Sequence, residues 1–327
     1  MALIVVAADK GAPGVTTTAL ALASVWPSPV LLAECDPAGG DLMFRFPAVD
    51  GRQLDPRRGL LSLAVAGRRD YQQQQVWAHA QKIHGGLDVL VGVTNAEQGA
   101  GLTAMWQPLG AMLAALPGAD VIADCGRLGP DGPAYDLLAE AATVVLVTRP
   151  DLGDVIRLRD RATAIMASAQ RRGRRGISLG VLVIADPKNL KAAQEEVAHA
   201  LHQAGVPVRL VGGMADDPKG AELLSGTWGG RLDKALLIRT AREVAGQLVA
   251  EVAGPAPVPS RAPAAAPPPP HPSGPGSSGR HTAGPHSSDQ YPPDPQPQRT
   301  GPRHGEPRPG ESRPTQQAVP LDGSRGR

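Results

Sequence analysis

Residues 3–18 read LIVVAADKGAPGVTTT. The first six are an apolar run that predicts a buried strand, and a loop with two glycines and a proline follows them. The threonines then open a helical pattern that continues through ALALASV. A helix that begins after a glycine-rich loop presents unpaired N–H groups and the positive end of its dipole, which suits a phosphate. The stretch therefore predicts an α/β fold with an anion site in its first loop.

Short apolar runs alternate with amphipathic segments along the first 253 residues. The strand candidates are 3–8, 30–34, 87–93, 121–124, 144–148, 177–184 and 206–211. The helix candidates are 16–25, 101–115, 135–141, 154–170, 190–204 and 235–252. Most strand candidates are apolar throughout, as parallel strands buried on both faces are. The pattern predicts a doubly wound, mostly parallel sheet with helices on both faces.

The composition changes at residue 254. Residues 254–327 are rich in Pro, Ser, Gly, His and Arg, with eight Arg against five Asp and Glu. Such a segment cannot bury enough apolar surface to offset the entropy of ordering it. We expect one globular domain over 1–253 and a disordered, Pro-rich tail over 254–327. The tail is either a solvated extension or a docking segment for a partner.

The bulk composition disfavours whole classes of protein. Aromatic residues make up only 3% of the chain, so the core must be aliphatic. The net charge of +2 is far below that of a strongly basic nucleic-acid-binding protein. Cys35 and Cys125 do not form a CxxC pair, which argues against a zinc site or a disulfide framework. No apolar run approaches 18 residues and the start lacks a leader pattern, so we expect a cytoplasmic protein without a transmembrane segment.

The first loop resembles the deviant Walker A motif, KGGxGKT[ST], of the ParA/MinD family of P-loop ATPases. In register, the matching residues are Lys10 on the signature lysine, Gly11, Gly14, Thr16 and Thr17. Ala12 replaces a glycine, and Val15 replaces the second P-loop lysine. The loop fits neither GxxxxGK[ST] nor GxGxxG, which disfavours a dinucleotide-binding oxidoreductase. The resemblance covers most of residues 1–252, and this loop is its most specific part.

The resemblance implies ATP and Mg²⁺ as ligands and a nucleotide-dependent homodimer. The nucleotide-binding residues would be Lys10, Gly11, Ala12, Pro13, Gly14, Val15, Thr16 and Thr17. Lys10 would also act in catalysis by reaching phosphates across the dimer, and Thr16 would ligate Mg²⁺. Val15 offers no charge-assisted contact to phosphate, so we expect weaker binding and impaired hydrolysis. The simplest alternative is a Gly-Pro turn that binds nothing.

Two later strand candidates end in acids. Asp36, in the sequence Glu34-Cys35-Asp36, matches the second acid of the family's DxDxxG motif and would be catalytic and close to Mg²⁺. Glu34 replaces the first acid, and the Gly-Gly-Asp-Leu that follows resembles the CpaE/TadZ-like branch. Asp124 ends a Walker B-like strand and would hold Mg²⁺ through water. Since ligands in open α/β sheets lie beyond the carboxyl ends of strands, we expect these residues to meet there. Asp36 also fits a capping role before Pro37.

The sequence patterns that could indicate adenine recognition or an interaction surface are weaker. Asp186, Asn189 and the loop 214–221 follow later strands, where the family places residues near the base. The segment 157–175 carries a cluster of Arg157, Arg159, Arg161, Arg171, Arg172, Arg174 and Arg175. The cluster is either a solvated helix face or, as in ParA relatives, a non-specific DNA surface. The apolar stripe of 235–252 is expected to face the core rather than a membrane.

These features predict a ParA/MinD-like ATP-binding protein that acts as a nucleotide-dependent dimerisation switch. Its task would be chromosome or plasmid partitioning, or placement of the septum or of a pilus or secretion apparatus. The alternative is a pseudo-ATPase scaffold, weak or inactive in catalysis, that recruits a partner. Val15 separates the two, because an ATPase normally has a lysine at that position.

Overall fold

A computed structural model describes residues 1–9, 14–67, 72–129, 132–171, 177–226 and 231–253, all within a first unit that spans Met1–Arg261. The predicted tail, 254–327, lies outside the described residues, so its boundary stays a prediction. The same holds for Lys10, Gly11, Ala12 and Pro13 of the first loop.

Within the described residues, eight strands form one sheet. The strands are β1 (Leu3–Ala8), β2 (Val30–Glu34), β3 (Gln81–Lys82), β4 (Asp88–Leu90), β5 (Asp120–Arg127), β6 (Thr143–Thr148), β7 (Leu179–Ala185) and β8 (Arg209–Ala215). Their order across the sheet is β3-β4-β2-β5-β1-β6-β7-β8. Every neighbouring pair is parallel except β3 and β4. The prediction of a mostly parallel sheet is confirmed.

Helices cover both faces of the sheet. They are α1 (Val15–Ser24), α2 (Leu42–Arg45), α3 (Leu60–Gly67), α4 (Gln75–His79), α5 (Ala96–Gly101), α6 (Trp106–Ala114), α7 (Ala134–Leu138), α8 (Leu152–Arg171), α9 (Leu190–Gln203), α10 (Pro218–Leu224) and α11 (Leu236–Val252). Helices α1 and α11 share one apolar cluster with the sheet, whereas α6, α7, α8 and α9 share the other. The doubly wound architecture is therefore also confirmed. None of the described helices has the length and apolar character needed to cross a membrane.

The predicted strands and helices are present, with shifted ends. The strand predicted at 206–211 begins at Arg209 and continues to Ala215. Pro207 has no N–H to give to a neighbouring strand, and Gly212 and Gly213 extend the strand instead of turning it. The helix predicted at 101–115 corresponds to α6 and to the short 3-10 turn Thr103–Met105 before it, and α5 ends where the prediction begins. The sequence did not reveal β3, α2, α3, α4 and α5.

The strand register brings the acids to one edge. Asp124 on β5 lies between Val6 of β1 and Glu34 of β2. The carboxyl ends of these three central strands therefore lie at one edge of the sheet, where β1 leads into the first loop. On α11, the buried residues are Leu237, Ile238, Ala241, Val244, Ala245 and Leu248. They confirm that the apolar stripe of this helix belongs to the core.

Candidate functional site

Helix α1 begins directly after the first loop. Gly14 precedes the helix with a φ of 73°, in the left-handed region that favours glycine. A Cβ at this position would lie 3.3 Å from the Ile184 Cδ1 atom, so there is little room for a side chain. Because the residue at the N-cap is glycine, no side chain caps the start of α1 in the described structure. The first turn of α1 contains no acidic residue. The N–H groups of this turn are thus suited to an anion.

Val15 packs into the core. Its side chain is 1% exposed and belongs to the apolar cluster that joins α1 to the sheet through Ile4 and Val6. The position that carries the second lysine in the family motif is a core position in this chain. Only the backbone of Val15 is left to contact an anion.

Thr16 and Asp124 come together across two elements. The Thr16 hydroxyl, in the first turn of α1, interacts with the Asp124 carboxylate at the end of β5 and lowers the pKa of that carboxyl. Asp124 is 2% exposed and also accepts a 3.0 Å hydrogen bond from the backbone N–H of Gly126. Burial raises the pKa of Asp124 to about 6, with further contributions from the negative charges of Glu34 and Asp36. The predicted metal residues Thr16 and Asp124 are therefore neighbours.

Asp36 lies beside this pair. Its carboxylate accepts a 2.8 Å hydrogen bond from the backbone N–H of Ala38, and the backbone N–H of Arg127 also interacts with it. It also rests against Gly126, where an added Cβ would come within 1.8 Å of the Asp36 Oδ2 atom. Burial raises the pKa of Asp36, while these backbone N–H groups oppose the rise. The structure gives Asp36 a turn-capping contact and, at the same time, a place among the acids of the site.

Glu34 is a structural acid. It is 3% exposed, and its two oxygens accept hydrogen bonds from the backbone N–H groups of Leu42, at 3.0 Å, and Gly92, at 2.8 Å. Gly40 packs so closely that an added Cβ would fall 1.9 Å from the Glu34 carboxyl carbon. Sequence reasoning treated Glu34 only as a replacement for a family acid. Its task in this fold is to connect β2 with the segments that follow β4 and precede α2.

A cavity of about 240 Å³ opens next to α1, beyond the ends of β7 and β8. Its lining includes Gly14, Thr17, Thr18, Arg149 and Asp216, and the last two form a 2.6 Å ion pair. The Thr18 hydroxyl is buried and has no hydrogen-bond partner among the described residues. This cavity is where α1 and the 214–221 loop meet.

The weaker adenine-side candidates divide between this cavity and the surface. Asp216 and Asp217, in the 214–221 loop, line the cavity. Asp186 and Asn189 do not line it, and Asp186 instead accepts a 2.9 Å hydrogen bond from the Lys188 N–H. Thr18 was not assigned a role from the sequence, because no local pattern marks a hydroxyl that reaches a cavity from inside a helix.

The arginines of segment 157–175 do not form one exposed face. Arg157 pairs with Asp154, and Arg159 pairs with Asp160 at 2.7 Å. Arg161 points away from solvent and contacts Asp9, the residue that follows β1. Arg171 is exposed, while Arg172, Arg174 and Arg175 lie outside the described residues.

Comparisons with solved structures identify the fold. A ParA family ATPase from Chlorobium tepidum is 17% identical, with a TM-score of 0.56 over 75% of this chain and 98% of that one. McdA from Cyanothece in complex with ATP is 17% identical, with a TM-score of 0.58 over 76% and 96%. The septum site-determining protein MinD from Pyrococcus horikoshii, complexed with Mg-ADP, is 16% identical, with a TM-score of 0.51 over 77% and 96%.

Sequence comparison adds no closer relative. No protein-family model matches the chain, and a search of curated proteins finds no match either. At 16–17% identity, the solved structures establish the fold and not the function. The order of the strands, the glycine-rich loop before α1 and the structural matches agree, and the chain has the fold of the ParA/MinD P-loop ATPases.

Proposed function

We propose that the chain binds MgATP at the shared edge of β1, β2 and β5. The interaction between the Thr16 hydroxyl and the Asp124 carboxylate carries this proposal. A hydroxyl in the first turn after a phosphate loop, facing an acid at the end of a neighbouring strand, is the arrangement with which P-loop proteins hold a nucleotide-bound Mg²⁺. The first turn of α1 contains no acidic residue, which supports the proposal because the helix dipole favours a bound anion there.

Each residue has a proposed task. The loop from Lys10 to Thr17 would hold the phosphates through its backbone N–H groups, and the Lys10 ammonium would add a positive charge. Thr16 and Asp124 would hold a Mg²⁺ ion, whose charge would offset that of the phosphates. Asp36 orients water for attack.

The cavity beside α1 is proposed to receive the base. It lies next to Gly14, at the end of the phosphate loop, and combines apolar side chains with the Arg149–Asp216 pair. Such a mixture is typical of small-molecule sites, in which a few polar groups fix the orientation of the ligand.

The proposed biological role is that of a positioning protein that dimerises when it binds nucleotide. Its support is the shared fold with solved proteins described as a ParA family ATPase and a septum site-determining protein. A non-specific DNA surface over 157–175 has less support, because Arg157, Arg159 and Arg161 are each paired with an acid. The proposed domain, 1–253, would carry all of these functions, with 254–327 as an attached tail.

A second candidate is a scaffold that binds nucleotide but hydrolyses it slowly or not at all. The buried side chain of Val15 favours it. Without a lysine at this position, the site has one fewer cation to stabilise the charge that develops on the phosphates during transfer.

The binding proposal is tested with the full chain and two threonine variants. Thr16→Val removes the hydroxyl that faces Asp124 and keeps the shape of the side chain. Thr163→Val is the matched control, since the Thr163 hydroxyl contacts only the Arg159 carbonyl of its own exposed helix turn. We expect Mg²⁺-dependent ATP binding by the wild type, a loss of about tenfold in affinity for Thr16→Val, and no change for Thr163→Val. An absence of wild-type binding at millimolar MgATP would refute the proposal.

Hydrolysis separates the two candidates. Phosphate release is measured for the wild type and for Asp36→Ala under saturating MgATP. Wild-type turnover that falls by about a hundredfold in Asp36→Ala identifies an ATPase in which Asp36 orients water. Tight binding with no wild-type turnover identifies the scaffold.

A further inference from the structure

We propose that Arg161 is a positioning residue of the phosphate loop, which it serves by cancelling the negative charge of Asp9. This inference rests on the proposed nucleotide site. Asp9 is the residue between β1 and the loop, and it is the only acid in the stretch 9–18. The same stretch contains a single base, Lys10, because Val15 stands where the family motif has a second lysine. An uncompensated Asp9 would leave the loop with no net positive charge.

The contacts of Arg161 connect three segments of the chain. From α8, its Nε and Nη2 atoms lie 2.7 and 2.6 Å from the Asp9 Oδ1 atom. Its Nη1 atom donates hydrogen bonds to the Gly129 carbonyl, at 3.1 Å, and to the Tyr135 hydroxyl, at 3.0 Å. The guanidinium is thus fixed between the end of β1, the loop after β5 and helix α7. Because the planar guanidinium is held by several hydrogen bonds, its ion pair with Asp9 is more rigid than a pair between exposed side chains.

Burial makes this pair different from the other ion pairs of α8. The side chains of Arg161 and Asp9 are 13% and 18% exposed, whereas those of Arg159 and Asp160 are 45% and 64% exposed. Exposed pairs contribute little and are screened by salt, but partly buried charges are screened much less. Asp9 would therefore exert its full repulsion on a nearby phosphate if Arg161 were absent.

If Arg161 acts by neutralising Asp9, the Arg161→Gln and Asp9→Asn variants should have different affinities for MgATP. Arg161→Gln leaves Asp9 unpaired beside the phosphates, so affinity for MgATP should fall. Asp9→Asn breaks the same ion pair but removes the repelling charge and leaves Arg161 positive, so affinity should be kept or should rise. If the pair only held the loop in shape, both variants would weaken binding.

The experiment measures the dissociation constant of MgATP for the full-length wild type, Arg161→Gln, Asp9→Asn and the double variant, at low and at high salt. We expect about tenfold weaker binding for Arg161→Gln, unchanged or up to about tenfold tighter binding for Asp9→Asn, and near wild-type binding for the double variant. High salt should reduce the difference between Arg161→Gln and the wild type. Arg159→Gln, two residues away on the same helix, is the matched control and should bind as the wild type does.

The outcomes separate this inference from the proposed function. Equal weakening by Arg161→Gln and Asp9→Asn, or no effect of Arg161→Gln, overturns the inference while wild-type binding upholds the nucleotide site. An absence of wild-type binding overturns both. If Arg161→Gln does not fold, tighter or unchanged binding by Asp9→Asn supports charge compensation, and weaker binding by Asp9→Asn overturns it.

Discussion

Glu34 and Asp124 lie opposite each other on β2 and β5, but their carboxylates have different surroundings. Both side chains are buried, and burial raises the pKa of each. The oxygens of Glu34 are held by the backbone N–H groups of Leu42 and Gly92. Asp124 instead faces the hydroxyl of Thr16, in the first turn of α1.

The difference shows how neighbouring acids divide structural and functional work. A buried acid that accepts fixed backbone hydrogen bonds on both oxygens connects segments of the fold, and its removal leaves those N–H groups without partners. A buried acid that faces a phosphate loop carries a charge that lowers the stability of the fold. Such destabilising charges are found at functional sites, where a ligand requires them. Variants of the two acids should therefore change stability in opposite directions.

The largest expected effect is that of Glu34→Ala. It leaves the N–H groups of Leu42 and Gly92 unpaired in a region without solvent, and we expect the free energy of unfolding to fall by about 3–5 kcal/mol. Chemical denaturation at pH 7 measures the change. Glu34→Gln is the milder comparison, because its amide oxygen can still accept one of the two hydrogen bonds. A loss below about 1 kcal/mol for Glu34→Ala would contradict a structural role.

The next effect concerns the contact between Asp36 and Gly126. Gly126 has a φ of 53°, and an added Cβ would overlap the Asp36 carboxylate. Gly126→Ala should therefore cost about 2–3 kcal/mol, from backbone strain and from displacement of Asp36. Gly118→Ala is the matched control, since its φ is 83° and no atom lies within 4 Å of an added Cβ. Only the strain, about 1 kcal/mol, should appear there.

A second background tests whether the Asp36 contact is the cause. In Asp36→Ala, the additional cost of Gly126→Ala should fall to that of Gly118→Ala, as measured by thermal or chemical unfolding. Equal costs in both backgrounds would show that the two residues are not coupled.

The sequence was sufficient for the parts of the fold that have long apolar patterns. β1, β2, β6 and β7 are continuous runs of apolar residues, so their burial and parallel pairing could be predicted. The glycine-rich loop and the acids after strands predicted the common edge, because parallel strands align their carboxyl ends. Asp124 and Thr16 are neighbours for this reason.

The rest of the site depends on contacts between residues far apart in the chain. Arg161 looks in sequence like part of a basic cluster, but its partner, Asp9, is 152 residues away. Glu34 has the charge of a family acid, and only the position of Leu42 and Gly92 shows that backbone groups bind it. Val15 marked a missing lysine, yet its burial follows from which side of α1 faces the sheet, and that side is fixed by tertiary packing.

The smallest effect in this comparison is a gain of stability. Asp124 has a pKa of about 6 in the fold, against 3.8 for an ordinary Asp. Protonation is therefore favoured in the folded state, so the contribution of this group is fully favourable below about pH 4 and is lost as the pH rises through about 6. Asp124→Asn cannot lose a proton, and the variant should be more stable than the wild type at pH 7 by about 1–2 kcal/mol.

The pH profile distinguishes this cause from a general improvement in packing. Unfolding free energies of wild type and Asp124→Asn should converge as the pH falls from 7 towards 4, because Asp124 becomes neutral in the folded wild type. Without MgATP the variant is the more stable protein, but its Mg²⁺-dependent affinity for ATP should be lower. A variant that is less stable than the wild type at pH 7 would show that the charge of Asp124 is compensated within the fold, and that the contrast with Glu34 does not hold.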